Sequence, residues 1–131
     1  MEKKYLSKII ANENEGLQMI SACCAGAKIK VSDIKYLQKN KVFLLSLKRS
    51  KIETENGDNK INSICKFDFV DNVKSKNINQ ENVDQKLELI TMDYLKNNNN
   101  YEISLIFTNN AYITLSTEII EVTLDDQNKI D

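Results

Sequence analysis

The sequence predicts an α+β domain: a mostly antiparallel β-meander of six or seven strands, curled into a barrel or a sandwich, with one N-terminal helix packed on it. Three observations carry this. Apolar side chains recur at every second position along most of the chain, the period of a strand with one buried face. The links between such segments are short, which favours antiparallel neighbours. Helical spacing stands out once, near the start, where Leu17, Ile20 and Cys24 share a face.

Tyr5 to Ala11 carries Leu6, Ile9 and Ile10 and reads as a short first strand. Asn12 with Glu15 three residues later has the form of a capping box, and Gly26 suits a left-handed close, so a helix is expected from about Glu13 to Ala25. Ile29 and Val31 restore the two-residue period. The phase slips at Ser32 and Asp33 before Ile34 and Tyr36, as a bulge within one continuous strand would make it. A turn at Gln38 to Lys41 should set Tyr36 against Phe43 and Ile34 against Leu45, leaving Val42 and Leu44 on the outer face.

Asn56-Gly57 is a strong turn signal that should expose Asn56 to Asn59. Ile61, Cys65, Phe67 and Phe69 form the next strand, broken near Asp71-Asn72 and resumed through Val73; Asn77 to Gln85 is turn-like. In Lys86 to Leu95 the apolar set switches from Leu87 and Leu89 to Ile90, Met92 and Tyr94, which implies a phase slip or burial on both sides. Tyr101 to Ser116 is a hairpin. A three-residue loop, Thr108 to Asn110, pairs Phe107 with Ala111, Leu105 with Ile113 and Ile103 with Leu115, and predicts positive φ at Asn110. Glu118 to Leu124 reads as a further strand, with a short helix as the alternative, and Asp125 to Asp131 is expected to fray. A pleckstrin-homology-like barrel is a specific candidate, although that fold carries its helix at the end.

With 131 residues, the chain is expected to be a single domain, 1–131. No apolar run approaches the ~20 residues that cross a bilayer, and the first residues lack a signal-peptide core, so a cytoplasmic location without membrane contact is expected. Cys23, Cys24 and Cys65 offer no Cys-x-x-Cys pair, and the chain has no histidine. That removes zinc sites and the commonest general base. Gly16, Gly26 and Gly57 are too scattered for a phosphate-cradling loop. The expectation is a non-enzyme with no catalytic residue, no cofactor and no metal. The Lys, Asn and Ile bias and the single arginine read as codon composition.

Charge is distributed unevenly. From Ala27 to Lys51 eight positive residues face only Asp33, whereas acids dominate from Lys86 onward. Lys28, Lys30, Lys48 and Arg49 are therefore candidate contacts for nucleic acid or another anion, although Tyr36 and Phe43 point inward and offer no stacking platform. Lysines that guard strands against aggregation are the competing explanation. Val42, Leu44, Ile90 and Ile106 are apolar on outer faces and are candidate interface residues. Asp68 and Asp93 could form a carboxylate pair if their strands were neighbours. Glu118, Glu121, Asp125 and Asp126 lack calcium-loop spacing.

The helix Leu17-Gln18-Met19-Ile20-Ser21-Ala22, the segment Val31 to Leu37, Val42-Phe43-Leu44-Leu45, Phe67-Asp68-Phe69-Val70 and the closing Ile113-Thr114-Leu115 resemble a bacterial family, domain of unknown function 2948, from Leu6 to Asp126. The resemblance implies a cytoplasmic single-domain protein and carries no catalytic residue over. Its members have glycine near Asn109 and Asn110 and are richer in arginine and proline than this chain. Three expectations for function follow, in order. First is a non-catalytic module that binds a protein partner or itself, as a homodimer, through its sheet surface. Second is nucleic-acid or anionic-ligand binding through the first hairpin, residues 28–51. Third is an enzyme using carboxylates alone.

Overall fold

Alternating side chains dictate most of the secondary structure. The computed structural model describes residues 8–51, 59–82 and 84–129. The chain runs β1 (Lys8–Ala11), α1 (Asn14–Cys24), β2 (Lys28–Lys30), a 3-10 turn (Val31–Asp33), β3 (Ile34–Leu37), a second 3-10 turn (Gln38–Asn40) and β4 (Val42–Lys51). It continues through β5 (Asn59–Phe67), β6 (Val70–Lys76), β7 (Lys86–Asn97), β8 (Asn100–Phe107), β9 (Tyr112–Thr117) and β10 (Val122–Lys129). The turn expected at Asn56 to Asn59 lies largely outside the described residues. The ten strands among the described residues exceed the expected six or seven. A 3-10 turn divides the first hairpin strand into β2 and β3, and the corner at Asp68 and Phe69 divides β5 from β6.

The sheet is antiparallel throughout, in the order β1-β10-β5-β4-β2-β7-β8-β9-β6, with β3 also on β4. It is open. No ladder joins β1 to β6 among the described residues, so the curled sheet does not close into a barrel. The β6 edge carries exposed Lys74 and Lys76, which discourage pairing with another chain.

One face of the sheet forms the core. Phe43, Leu45, Cys65, Phe67, Leu89, Leu105, Phe107, Leu115 and Leu124 are buried in a cluster that includes Leu17, Ile20 and Cys24 of α1. Each such side chain contributes roughly 1.5–3 kcal/mol by leaving water. The helix lies against β7, β1 and β4. Its start differs from the expected capping box: Glu13 is the N-cap and no side chain caps the turn. Gly16 is where α1 meets β1, since a Cβ there would come within 2.8 Å of the Ala11 Cβ. The helix ends as expected, with Gly26 left-handed at φ 83°. Ser21 anchors it to the sheet by accepting a 2.8 Å hydrogen bond from the Met92 amide.

The hairpin phase holds to the residue. Ile103 faces Leu115, Leu105 faces Ile113, and the Phe107 amide donates to the Ala111 carbonyl at 2.9 Å. Asn110 has φ 60°, and Asn109 is left-handed as well, at 64°. The phase conflict in β7 is a bulge: its register against β8 shifts between Leu89 and Thr91. The C-terminal expectation needs correction. β10 is a strand that stays in the sheet through Lys129, because Val122, Leu124 and Asp126 all turn inward. Among the described residues no helix is long and apolar enough to cross a membrane.

The loop geometry sets a test. Asn110→Val puts a β-branched side chain at positive φ and should lower stability by ~1–2 kcal/mol in urea unfolding, while Asn110→Gly should not lower it. Equal losses in both variants would show that the backbone there is not left-handed.

Candidate anion-binding groove

Both β2 and β3 pair with β4, but not in one register. Ile34 lies opposite Leu45, so a continuous ladder would bring Val31 opposite Lys48; Lys28 stands there instead. The three residues of the turn Val31–Asp33 are surplus and leave the ladder. Beyond that one pairing with β4, β2 follows β7, with Lys28 opposite Glu88, Ile29 opposite Leu87 and Lys30 opposite Lys86. The sheet opens beside Ser46 and Leu47, and a groove of about 880 Å³ occupies the opening.

Directly opposed residues share a face, which fixes the lining. Asn62, Lys48, Lys28 and Glu88 form one row across β5, β4, β2 and β7. In the next row Ile64 and Ser46 stand on one bank, Lys30 and Lys86 on the other. Asp33, Thr108 and Gln127 complete the rim. Lys28 is ion-paired with Glu88. Lys30, Lys48 and Lys86 make no hydrogen bond or ion pair among the described residues. Two lysine pairs, Lys28 with Lys48 and Lys30 with Lys86, thus face each other with Cβ atoms about 5 Å apart, an arrangement that destabilises a sheet.

Of the four expected anion contacts, Lys28, Lys30 and Lys48 meet in the groove. Arg49 does not. It shares the inward parity of Phe43, Leu45 and Leu47 and is 5% exposed. Its Nη2 donates to both carboxylate oxygens of buried Asp126, at 2.9 and 2.8 Å, and its Nε donates to Asp126 Oδ1 and Ser63 Oγ at 3.1 Å. The Ser63 hydroxyl donates to Asp126 Oδ1 at 2.7 Å. Arginine suits this place because its planar fork matches a carboxylate and its charge cannot be shed. The cluster ties β4, β5 and β10 together, and Ser63 borders the groove. Lys86 was missed by sequence reasoning. It belongs to the acidic half of the chain, and only the long-range pairing of β2 with β7 brings it to Lys30.

The expected interface residues do not make one surface. Val42 and Leu44 are half-buried, whereas Ile90 is 51% and Ile106 38% exposed. Leu44 precedes Lys48 and Ile90 follows Glu88 on strands that run the same way, which separates them by roughly 20 Å along the sheet. Ile106 pairs with Tyr112 and lies beside the Ile90 bulge, a small apolar stripe. Asp68 and Asp93 are not on neighbouring strands: Asp68 lies in the corner after β5, Asp93 is on β7, and β4 and β2 intervene between β5 and β7. Glu118 lies 3.7 Å from Lys41, whose ammonium pKa is raised by the hydrogen bond and charge of Asp71 and then by Glu118. None of these carboxylates lines the groove.

The cysteines are free thiols. Burial pushes Cys24 up to about 12, against a smaller opposing effect of the Arg49 charge, and raises Cys65 as well. Both therefore stay protonated near neutral pH.

Fold and groove together define a curled antiparallel sheet protein with a lysine-lined opening in its outer face. The chain belongs to the family described as Protein of unknown function (DUF2948), whose model matches residues 7–130. No curated protein and no solved structure matches it.

Two measurements check this geometry. Arg49→Met or Asp126→Leu should each cost ~3–5 kcal/mol in urea unfolding by removing one partner of a buried ion pair, while the double variant Arg49→Met/Asp126→Leu recovers much of the loss. Additive losses would show that the pair is not coupled. At pH 8, iodoacetamide should leave Cys24 and Cys65 unmodified in the native protein and alkylate all three thiols after unfolding; rapid native alkylation of Cys24 would contradict its burial.

Proposed function

We propose that this protein is a binding domain, not an enzyme, and that it takes an anionic ligand in the groove between β2 and β4. The observation that carries this is the pair of directly opposed lysine couples, only one member of which, Lys28, has a carboxylate partner. Protection against edge-to-edge aggregation does not account for them. β2, β4 and β7 are interior strands of the sheet, and the edge lysines Lys74 and Lys76 lie elsewhere on β6. An anion seated between the couples converts the repulsion into attraction, which is why such an arrangement suits a site and costs stability without one. The protein-interaction reading has less support, since Ile90, Ile106 and Tyr112 form a patch of three side chains, whereas a standard interface covers ~800 Å² on each partner.

Lys86→Glu separates the readings. It places a carboxylate opposite Lys30, so it should raise stability by ~0.2–1 kcal/mol and at the same time weaken pyrophosphate binding at least ~10-fold in calorimetric titration at low ionic strength. Wild-type affinity should fall as salt rises. Undetectable pyrophosphate binding at low salt, or equal binding by wild type, Lys30→Glu and Lys86→Glu, would remove the proposal.

A further inference from the structure

Resting on the anion-binding reading, we infer that the groove takes one small phosphorylated molecule bearing hydroxyl groups, and not a nucleic-acid strand. The lining divides into cationic and neutral groups. Lys28, Lys30 and Lys86 stand on β2 and β7 and Lys48 faces them from β4, while β5 and β10 behind it offer the neutral hydrogen-bonding side chains Asn62 and Gln127. A polyanion threaded along the opening would carry phosphates past the lysines onto Asn62 and Gln127. A monophosphate held at the lysines, with a polar, uncharged remainder reaching Asn62 and Gln127, uses both sets of groups.

Charge and size agree with this. Among the described residues, four lysines against Asp33 and Glu88 leave an excess of two positive charges in the lining, the complement of a single phosphate dianion. A volume of about 880 Å³ falls within the range of small-molecule pockets. Among the described residues no aromatic side chain lines the groove, so these offer no platform for a stacked base. The neutral side chains suit hydroxyls. Asn62 is exposed and makes no hydrogen bond among the described residues, while Gln127 is steadied by its Nε2, which donates to the Asp125 carbonyl at 3.2 Å. Asp33 at the rim can accept from a hydroxyl.

Calorimetric titration of the full chain with inorganic phosphate, ribose 5-phosphate and a long oligothymidylate tests the assignment. Ribose 5-phosphate should bind about tenfold more tightly than phosphate, the margin of one or two extra hydrogen bonds, and Asn62→Ala should erase most of that margin. Lys30→Glu should weaken both. Ribose 5-phosphate binding no tighter than phosphate, or oligothymidylate outcompeting both with a steep salt dependence, would overturn the small-molecule assignment and leave the anion-binding reading standing. Failure of every anion to bind would take down both.

Discussion

A surplus of three residues governs the layout of this sheet. Val31, Ser32 and Asp33 have no partners on β4, so the chain that could have been one long strand becomes β2 and β3, and β2 is handed over to β7 after a single pairing with β4. The two halves of the sheet stay connected through Lys28 while the ladder beside Ser46 opens. Bulges commonly re-aim side chains and end pairing; here the effect is to bring lysines from three strands around one hollow.

An opening in a sheet tends to close unless something rigid lies under it. Buried Ile29, Leu47, Ser63 and Leu87 line it from the inner face, and the Arg49, Ser63 and Asp126 cluster braces that side by joining β4, β5 and β10 away from water. A buried ion pair is seldom the most stable filling for a core, and an apolar replacement of similar volume often serves as well. Its geometry is directional, however. A bidentate arginine fixes the register of the three strands relative to one another in a way that interchangeable aliphatic side chains do not.

How much of this the sequence discloses depends on the range of the interaction. The hairpin of β8 and β9 is legible because a two-residue period on both arms and a three-residue link leave one pairing that keeps the apolar faces together. Arg49, expected as an anion contact, and Asp126, expected to fray, are harder to place, although Arg49 continues the parity of Phe43, Leu45 and Leu47, and Asp126 that of Val122 and Leu124. Their charge argues for the surface and their parity for the core, and parity wins because each supplies the partner that the other needs. The insertion at Val31 appears only as a slip in phase, with no sign of its length. Lys86 cannot be placed from local pattern at all, since nothing near it in the chain specifies which strand will lie beside β7.

Amide NMR during titration with inorganic phosphate tests the central claim most directly. A groove opened by the Val31–Asp33 insertion requires the largest shifts at Lys30, Ser46, Lys48 and Lys86, residues that are dispersed in the chain and meet only there. Shifts that instead follow lysine exposure, with the β6 edge at Lys74 and Lys76 responding as strongly, would show that no such site exists.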